Sequence, residues 1–377
     1  MTSPSPPMLA FALATQLAAT APGGDAWTRA EIGGVRGITV GPIENAYHPG
    51  VGYASVAYDR TLREARAMGA TWVALTPFGR VASLTASGVD LSFETPFERS
   101  RQEVVRSVEM AHARGLRVML VPQLWLESGQ WRGDIDPGSD QGWSRWAESY
   151  ERFVRAWAEV AQTSRAEMFS VGVELRSWVT TTRAPSFARV VHEARKVYHG
   201  LITYSANWDD VEETVILGDL DVIGINAFFP LAEERGATAK EMTEGARKIR
   251  VRVHALAETW QKPVLFTETG YTTRPDPAVR PWEWPDIMHS VTVDEGAQAA
   301  AYRSLLGPLL EEQDFAGLFV WRVYADPDDT SQEAPWGFSP RGKQAERVMR
   351  DAFAAHWACD PWWNQAWPQR SGDPGVY

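Results

Sequence analysis

Met168-Phe169-Ser170-Val171-Gly172-Val173 runs directly into Glu174. The six residues are apolar or small and show no polar–apolar alternation, as expected of a strand covered on both faces. Seven other runs share this character: Gly37–Val40, Trp72–Leu75, Arg117–Val121, Leu201–Tyr204, Val222–Ile225, Val264–Thr267 and Leu318–Val320. Longer segments with helical spacing separate them, at Leu62–Met68, Glu103–Arg114, Trp143–Ala161, Phe187–Tyr198, Thr243–Trp260, Glu295–Glu311 and Lys343–Phe353. In Glu103–Arg114, for example, Val104, Val108 and Ala111 form one stripe, and Gly115 stops it. The connection after the fifth run, Val211–Leu217, is only weakly helical. Strand-then-helix units in series mean parallel strands joined by crossover helices. Eight of them over residues 36–356 predict a closed (β/α)8 TIM barrel, an α/β fold in a single domain. No G-x-G-x-x-G follows the first strand, which argues against an open dinucleotide-binding sheet.

Composition narrows the function classes. The chain has 377 residues, of which 44% are hydrophobic, enough for a large core. A net charge of −11 disfavours nucleic acid and anionic membrane surfaces, which call for Lys and Arg. A neutral substrate demands no charge match. There are 18 tryptophans. Many belong to the core, but flat indole faces also stack on the apolar faces of sugar rings. With a single cysteine, Cys359, no intrachain disulfide forms. No apolar run reaches the ~20 residues of a membrane span. Met8–Ala21 has the length and small-residue ending of an export-signal core, but it lacks a basic flank, and Pro22 follows the best cleavage point. It reads equally as an export-signal remnant, implying a periplasmic or secreted protein, or as a first helix.

In a barrel of this kind the site lies where the strands end. The third strand leads into Gln123-Leu124-Trp125-Leu126-Glu127, the fourth ends at Glu174, and the fifth runs into Asn207-Trp208. The sixth ends in Asn226-Ala227-Phe228-Phe229, the seventh in Glu268-Thr269-Gly270-Tyr271, and the eighth in Trp321-Arg322. A carboxylate at the end of an apolar strand is costly to desolvate unless it is paired or used. Either glutamate alone could be a buried ion pair with Arg176 or Arg322. Two of them, on strands that face each other across the barrel mouth, fit glycosidic cleavage, in which one carboxyl protonates the leaving oxygen and the other attacks the anomeric carbon. Glu174 and Glu268 are therefore the candidate catalytic residues. Asn207 and Asn226 are candidates for holding sugar hydroxyls, and Trp125, Trp208 and Trp321 for stacking. His48 follows the first strand and could reach the mouth, and Trp282 and Trp284 could wall a subsite. None of the five lysines ends a strand, which disfavours Schiff-base chemistry. The seven histidines show no metal-ligand spacing, so neither a metal nor a cofactor is expected.

The stretches Phe169–Leu175, Thr203–Asp209, Asp221–Leu231, Pro263–Tyr271 and Trp336–Lys343, in this order and at these strand positions, resemble glycoside hydrolase clan A, and within it the β-mannanase-like family 113. The resemblance implies retaining hydrolysis, with Glu174 as acid/base and Glu268 as nucleophile, and a β-1,4-mannan or glucomannan-type substrate. It also implies binding roles for Phe228 and Tyr271. Two departures from the clan stand out. Val173 precedes Glu174 where many clan members carry Asn, and the mannanase-like family resembles this chain there. Phe228 stands where many relatives have a tyrosine whose hydroxyl steadies the nucleophile. Two alternatives stand beside this reading. One is a retaining β-glycosidase of other specificity (a glucanase, an exo-enzyme or a transglycosylase). The other is a non-catalytic carbohydrate-binding barrel. On the first reading, residues 1–35 are an N-terminal extension, 36–356 the catalytic domain and 357–377 a C-terminal tail.

Overall fold

All eight predicted runs are strands, and two further short strands lie between them. In chain order they are β1 (Val35–Gly41), β2 (Trp72–Leu75), β3 (Phe78–Val81), β4 (Arg117–Leu120), β5 (Gln123–Leu126), β6 (Met168–Val173), β7 (Leu201–Asn207), β8 (Ile223–Asn226), β9 (Val264–Thr269) and β10 (Phe315–Tyr324). The computed structural model describes residues 34–42, 50–283, 291–328 and 334–359. The Met8–Ala21 segment, His48 and Trp284 lie outside them. The helices are α1 (Val56–Met68), α2 (Phe97–Ala113), α3 (Asp140–Ser164), α4 (Arg176–Val179), α5 (Ala184–Val197), α6 (Ala239–Trp260), α7 (Glu295–Leu309) and α8 (Gln344–Ala354). None is long and apolar enough to cross a membrane.

β1, β2, β4, β6, β7, β8, β9 and β10 pair in parallel, each with the next, and β10 closes on β1. The eight strands form the barrel, and helices pack around it. The crossover from β7 to β8 has no α-helix. Two 3-10 turns, Val211–Glu213 and Val215–Asp219, replace it, in keeping with the weak helical pattern there. Elsewhere the helix ends follow local chemistry. Ser55 caps α1 by accepting the Tyr58 N–H, and Thr238 and Glu241 form a reciprocal capping box at α6.

Much of the tryptophan content is core. Trp72, Trp146, Trp157, Trp178 and Trp357 are fully buried. Trp146 and Trp178 join Tyr150 and Phe187 in one aromatic cluster under α3, α4 and α5. After α8 the chain buries Trp357 and Cys359 beside Gly34, where no β-carbon would fit.

β3 and β5 were not anticipated. They pair with each other in a two-stranded parallel sheet, with Phe78 opposite Gln123 and Arg80 opposite Trp125. Each follows a barrel strand after two residues, β3 after β2 and β5 after β4. The chain thus prolongs two neighbouring strands past the barrel mouth.

β10 carries register shifts beside Gly317, which sits at φ 126°. A β-carbon there would come within 2.4 Å of the Val35 carbonyl oxygen. Backbone cannot retreat as a flexible side chain can. Gly317→Ala is therefore expected to destabilise the barrel by about 3 kcal/mol or more, read as a lowered urea midpoint. An unchanged midpoint would show that the seam between β10 and β1 tolerates a side chain.

Candidate active site

Strand register sets the level of the site. Asn207 on β7 pairs with Asn226 on β8, and Asn226 pairs with Glu268 on β9. These three residues form one row at the C-terminal rim. Val173, the last residue of β6, pairs with Ser205, so Glu174 emerges beside that row. Glu174 adopts φ 52°, a left-handed conformation that costs a non-glycine residue about 1 kcal/mol or more. Its surroundings enforce it. The Glu174 N–H donates to the Ser205 carbonyl at 2.9 Å, and the next N–H, of Leu175, donates to the Tyr204 hydroxyl at 2.6 Å.

Both carboxylates are nearly covered, with 9% of Glu174 and 6% of Glu268 exposed. Each has its own donors. The Asn226 amide nitrogen donates to Glu174 Oε1 at 3.0 Å, and the Trp131 indole nitrogen to Oε2 at 3.0 Å. Thr267 donates its hydroxyl to the Asn226 amide oxygen at 3.0 Å, which turns the Asn226 NH2 toward Glu174. Glu268 accepts from the Gln123 amide nitrogen at 2.8 Å. Arg132 donates to the Gln123 amide oxygen at 3.2 Å, which fixes that amide in the same manner. Arg132 also reaches within 3.7 Å of Glu174, so one guanidinium spans both halves of the site. Arg322 donates to the Tyr324 hydroxyl at 2.8 Å and stands over the Trp321 ring.

Burial, and then the neighbouring Glu174, push the Glu268 carboxyl from an ordinary 4.5 up to about 8. Arg132, Arg322 and Gln123 oppose that rise without cancelling it. The Glu268 carboxyl therefore keeps a proton to higher pH than an exposed glutamate does. Just outside, burial pushes Asp210 up to about 6 against the pull of Arg176.

The other sequence candidates divide by position. Trp321, 4% exposed, packs with Phe228 and Phe338 in a small apolar cluster separate from the main core, with Trp208 against it. Trp208 stacks on Trp282 at 5.2 Å. Trp125 lies on the same face of β5 as Gln123, against Phe78 and Phe93. Trp125 and Trp282 are the two most exposed aromatic side chains among the described residues. Asn207 donates its amide to Asp209 at 2.7 Å rather than to either glutamate. The Tyr271 ring is buried against Tyr302 of α7 and is not a partner of the pair. Sequence reasoning missed Gln123, Trp131, Arg132 and Arg322 as members of the site. A buried amide past the third strand was a signal for Gln123, and Arg322 was quoted only as an ion-pair alternative. Trp131 and Arg132 sit at the start of a 3-10 turn, Arg132–Asp134, in the connection from β5 to α3, whose position no local pattern reveals.

One group with metal-like spacing exists among the described residues, His254, Glu312 and Asp314. It lies before β10, at the opposite end of the barrel, and an ion-pair network with Arg250 occupies it.

A profile of glycoside hydrolase family 113 matches residues 48–343. No curated protein sequence matches the chain. Among solved structures, a β-mannanase of that family from Alicyclobacillus acidocaldarius, in complex with ManMIm, is 26% identical. It covers 86% of this chain and 98% of its own, with a TM-score of 0.72. A second family 113 β-1,4-mannanase, at 21% identity, covers 86% of this chain and 100% of its own, with a TM-score of 0.73, a likeness of fold. A β-glucuronidase from Faecalibacterium prausnitzii, at 14% identity, shares the fold at a TM-score of 0.58, over 85% of this chain and 49% of its own.

The raised Glu268 carboxyl links stability to pH. Between about 4.5 and about 8 the folded chain holds a proton there that the unfolded chain has lost. Its contribution is complete below about 4.5 and disappears as pH rises through about 8, by several kcal/mol at most. Glu268→Gln, which cannot ionise, should melt like the wild type near pH 4 and above it near pH 9. Parallel melting curves across that range would contradict the assigned cost of ionising Glu268.

Proposed function

The chain belongs to glycoside hydrolase family 113, and from that membership we propose that it cleaves β-1,4-linked mannan or glucomannan-type chains with retention of anomeric configuration. One observation carries the reading: Glu174 and Glu268, from strands on facing sides of the mouth, are both nearly buried, and the charge of Glu174 helps raise the Glu268 carboxyl to about 8. In this mechanism Glu174 gives its proton to the glycosidic oxygen while the Glu268 carboxylate attacks the anomeric carbon. The aglycone leaves as an alcohol, and a glycosyl ester on Glu268 remains. Glu174, now ionised, takes a proton from water, and the water oxygen displaces Glu268 and restores both groups. Glu268, whose carboxyl is raised to about 8, must therefore give up its proton before it attacks. Positive charge growing on the sugar beside Glu268 favours that loss, as do Arg132 and Arg322.

The substrate class has separate support. The net charge of −11 suits a neutral ligand, and the two similar family 113 structures are mannanases. Trp125 on β5 and Trp282, stacked on Trp208 beyond the end of β7, are about half exposed and would serve as walls for a chain longer than one sugar. Gln123 has the place of a donor to the nucleophile, a role the missing tyrosine hydroxyl at Phe228 cannot fill.

Expected outcomes follow for β-mannan and defined manno-oligosaccharides. The first-formed product should be the β-anomer by proton NMR. Glu268→Ala should lose turnover by several orders of magnitude. Glu174→Ala should fail most on poor leaving groups, and azide should restore it by attacking the glycosyl ester to give a β-glycosyl azide. Activity should fall on the alkaline side near pH 8, where the pair loses its single proton. An α-anomer formed first, or normal turnover in the Glu268 variant, would overturn the mechanism.

A further inference from the structure

Trp131 lies in the loop between β5 and α3 and touches Glu174 through its only polar atom. Its ring is held on more than one side. A β-carbon at Gly133 would come within 2.3 Å of it, so this position accepts no side chain without displacing the indole. The Arg176 guanidinium stands over the ring at 4.7 Å. Arg176 is anchored in turn, with Nε donating to Asp210 at 2.7 Å and Nη2 to Asp209, whose carboxylate also takes the Asn207 amide. Ser177, the next residue, donates to the Ile135 carbonyl at 2.6 Å and ties the loop to α4. A line of contacts therefore runs from the end of β7 through Asp209, Arg176 and Trp131 to Glu174. Little of it fits a purely structural purpose, because a loop needs no charged clamp to seat an indole whose N–H points at a catalytic carboxyl.

We propose that Trp131 is a positioning residue for the acid/base, and that Arg176, fixed by Asp209 and Asp210, holds its indole N–H on Glu174 through both halves of the reaction. The proposal rests on the reading of Glu174 as acid/base. A carboxyl that alternates between acid and base must not swing when it ionises. An N–H donor bonds a carboxylate about twice as strongly as it bonds a neutral carboxyl. Trp131 thus favours the ionised Glu174 that takes the proton from water, and it holds Oε2 in place when that oxygen carries the proton. Without the donor, the pair keeps its last proton to higher pH. The other charged or titratable groups that interact with Glu174 are Glu268, Arg132, Asp210 and Tyr204, and a Trp131 variant changes none of their identities.

The test uses the full chain with Trp131→Phe, which keeps a ring and removes the donor, and Arg176→Met, which keeps the donor and removes its clamp. On manno-oligosaccharides Trp131→Phe should lower kcat about 10- to 100-fold with little change in KM, the size of a charge-assisted hydrogen bond. The alkaline limb should move up by roughly one pH unit. Arg176→Met should act in the same direction more weakly, and the double variant should be no worse than Trp131→Phe, since both act through one contact. A raised KM with kcat and the pH limb unmoved would make Trp131 a sugar wall and overturn the proposal. A nitrogen-15 spectrum separates this from failure of the acid/base reading. The indole resonance missing from Trp131→Phe should titrate with pH in the wild type and lose most of that titration in Glu174→Gln, whatever the enzyme hydrolyses. An indole signal that ignores pH would refute the contact itself.

Discussion

Two carboxyl groups held side by side out of water cannot both ionise cheaply, and the pocket is arranged around that constraint. Burial and mutual repulsion push Glu268 up to about 8. The fold answers with donors, each of which is itself oriented. Thr267 turns Asn226, Arg132 turns Gln123, and Arg132 also reaches within 3.7 Å of Glu174. An amide that could flip would present its oxygen to a carboxylate half the time, and the second layer of hydrogen bonds removes that freedom. The result is a Glu268 carboxyl that, despite these donors, keeps its proton to about pH 8.

The donors reach the two glutamates by different routes, and this gives the pair its asymmetry. Asn226 comes up from the barrel itself, one strand over from Glu268 and level with it. Gln123 comes from above, on β5, a strand that exists only because β4 resumes beyond the rim and pairs with β3. The phenylalanine at position 228 packs into the apolar cluster with Trp321 and Phe338 and offers no hydroxyl. The donor that Glu268 does have is the Gln123 amide from the small sheet. That hydrogen bond lowers the Glu268 carboxyl, though less than burial raises it.

What was legible in the chain follows from where information is local. The barrel strands are short runs covered on both faces, and that double burial writes itself into composition, so all eight were visible, from Gly37 to Val320. The glutamates were visible for the opposite reason, as charges ending such runs. β3 and β5 were not, because Phe78–Val81 and Gln123–Leu126 are four residues each and their pairing joins segments some forty-five residues apart. Among the binding candidates, Asn226 meets Glu174, whereas Asn207 turns to Asp209 and Tyr271 turns inward to Tyr302. Strand position fixes the level of a side chain at the rim. It does not fix the rotamer, which depends on neighbours that arrive from other strands and loops. Trp131 and Arg132 show the limit most plainly, since a loop residue's partner is chosen by the path of the whole loop.

The same distinction separates what holds the barrel from what tunes the site. Glu174 sits in a left-handed conformation that its own strand would not choose, kept there by Ser205 and Tyr204 from β7. Its carboxyl is then met by Asn226 from β8 and Trp131 from the loop after β5. No single element positions it. A strained backbone persists only when several independent contacts over-determine it. Here those contacts come from neighbouring strands whose register the barrel's closure fixes. Closure therefore does more than bury apolar surface. By locking β6, β7, β8 and β9 at set heights, it turns the free energy of the core into the placement of a carboxyl that would otherwise relax to an ordinary conformation and point away from Asn226 and Trp131.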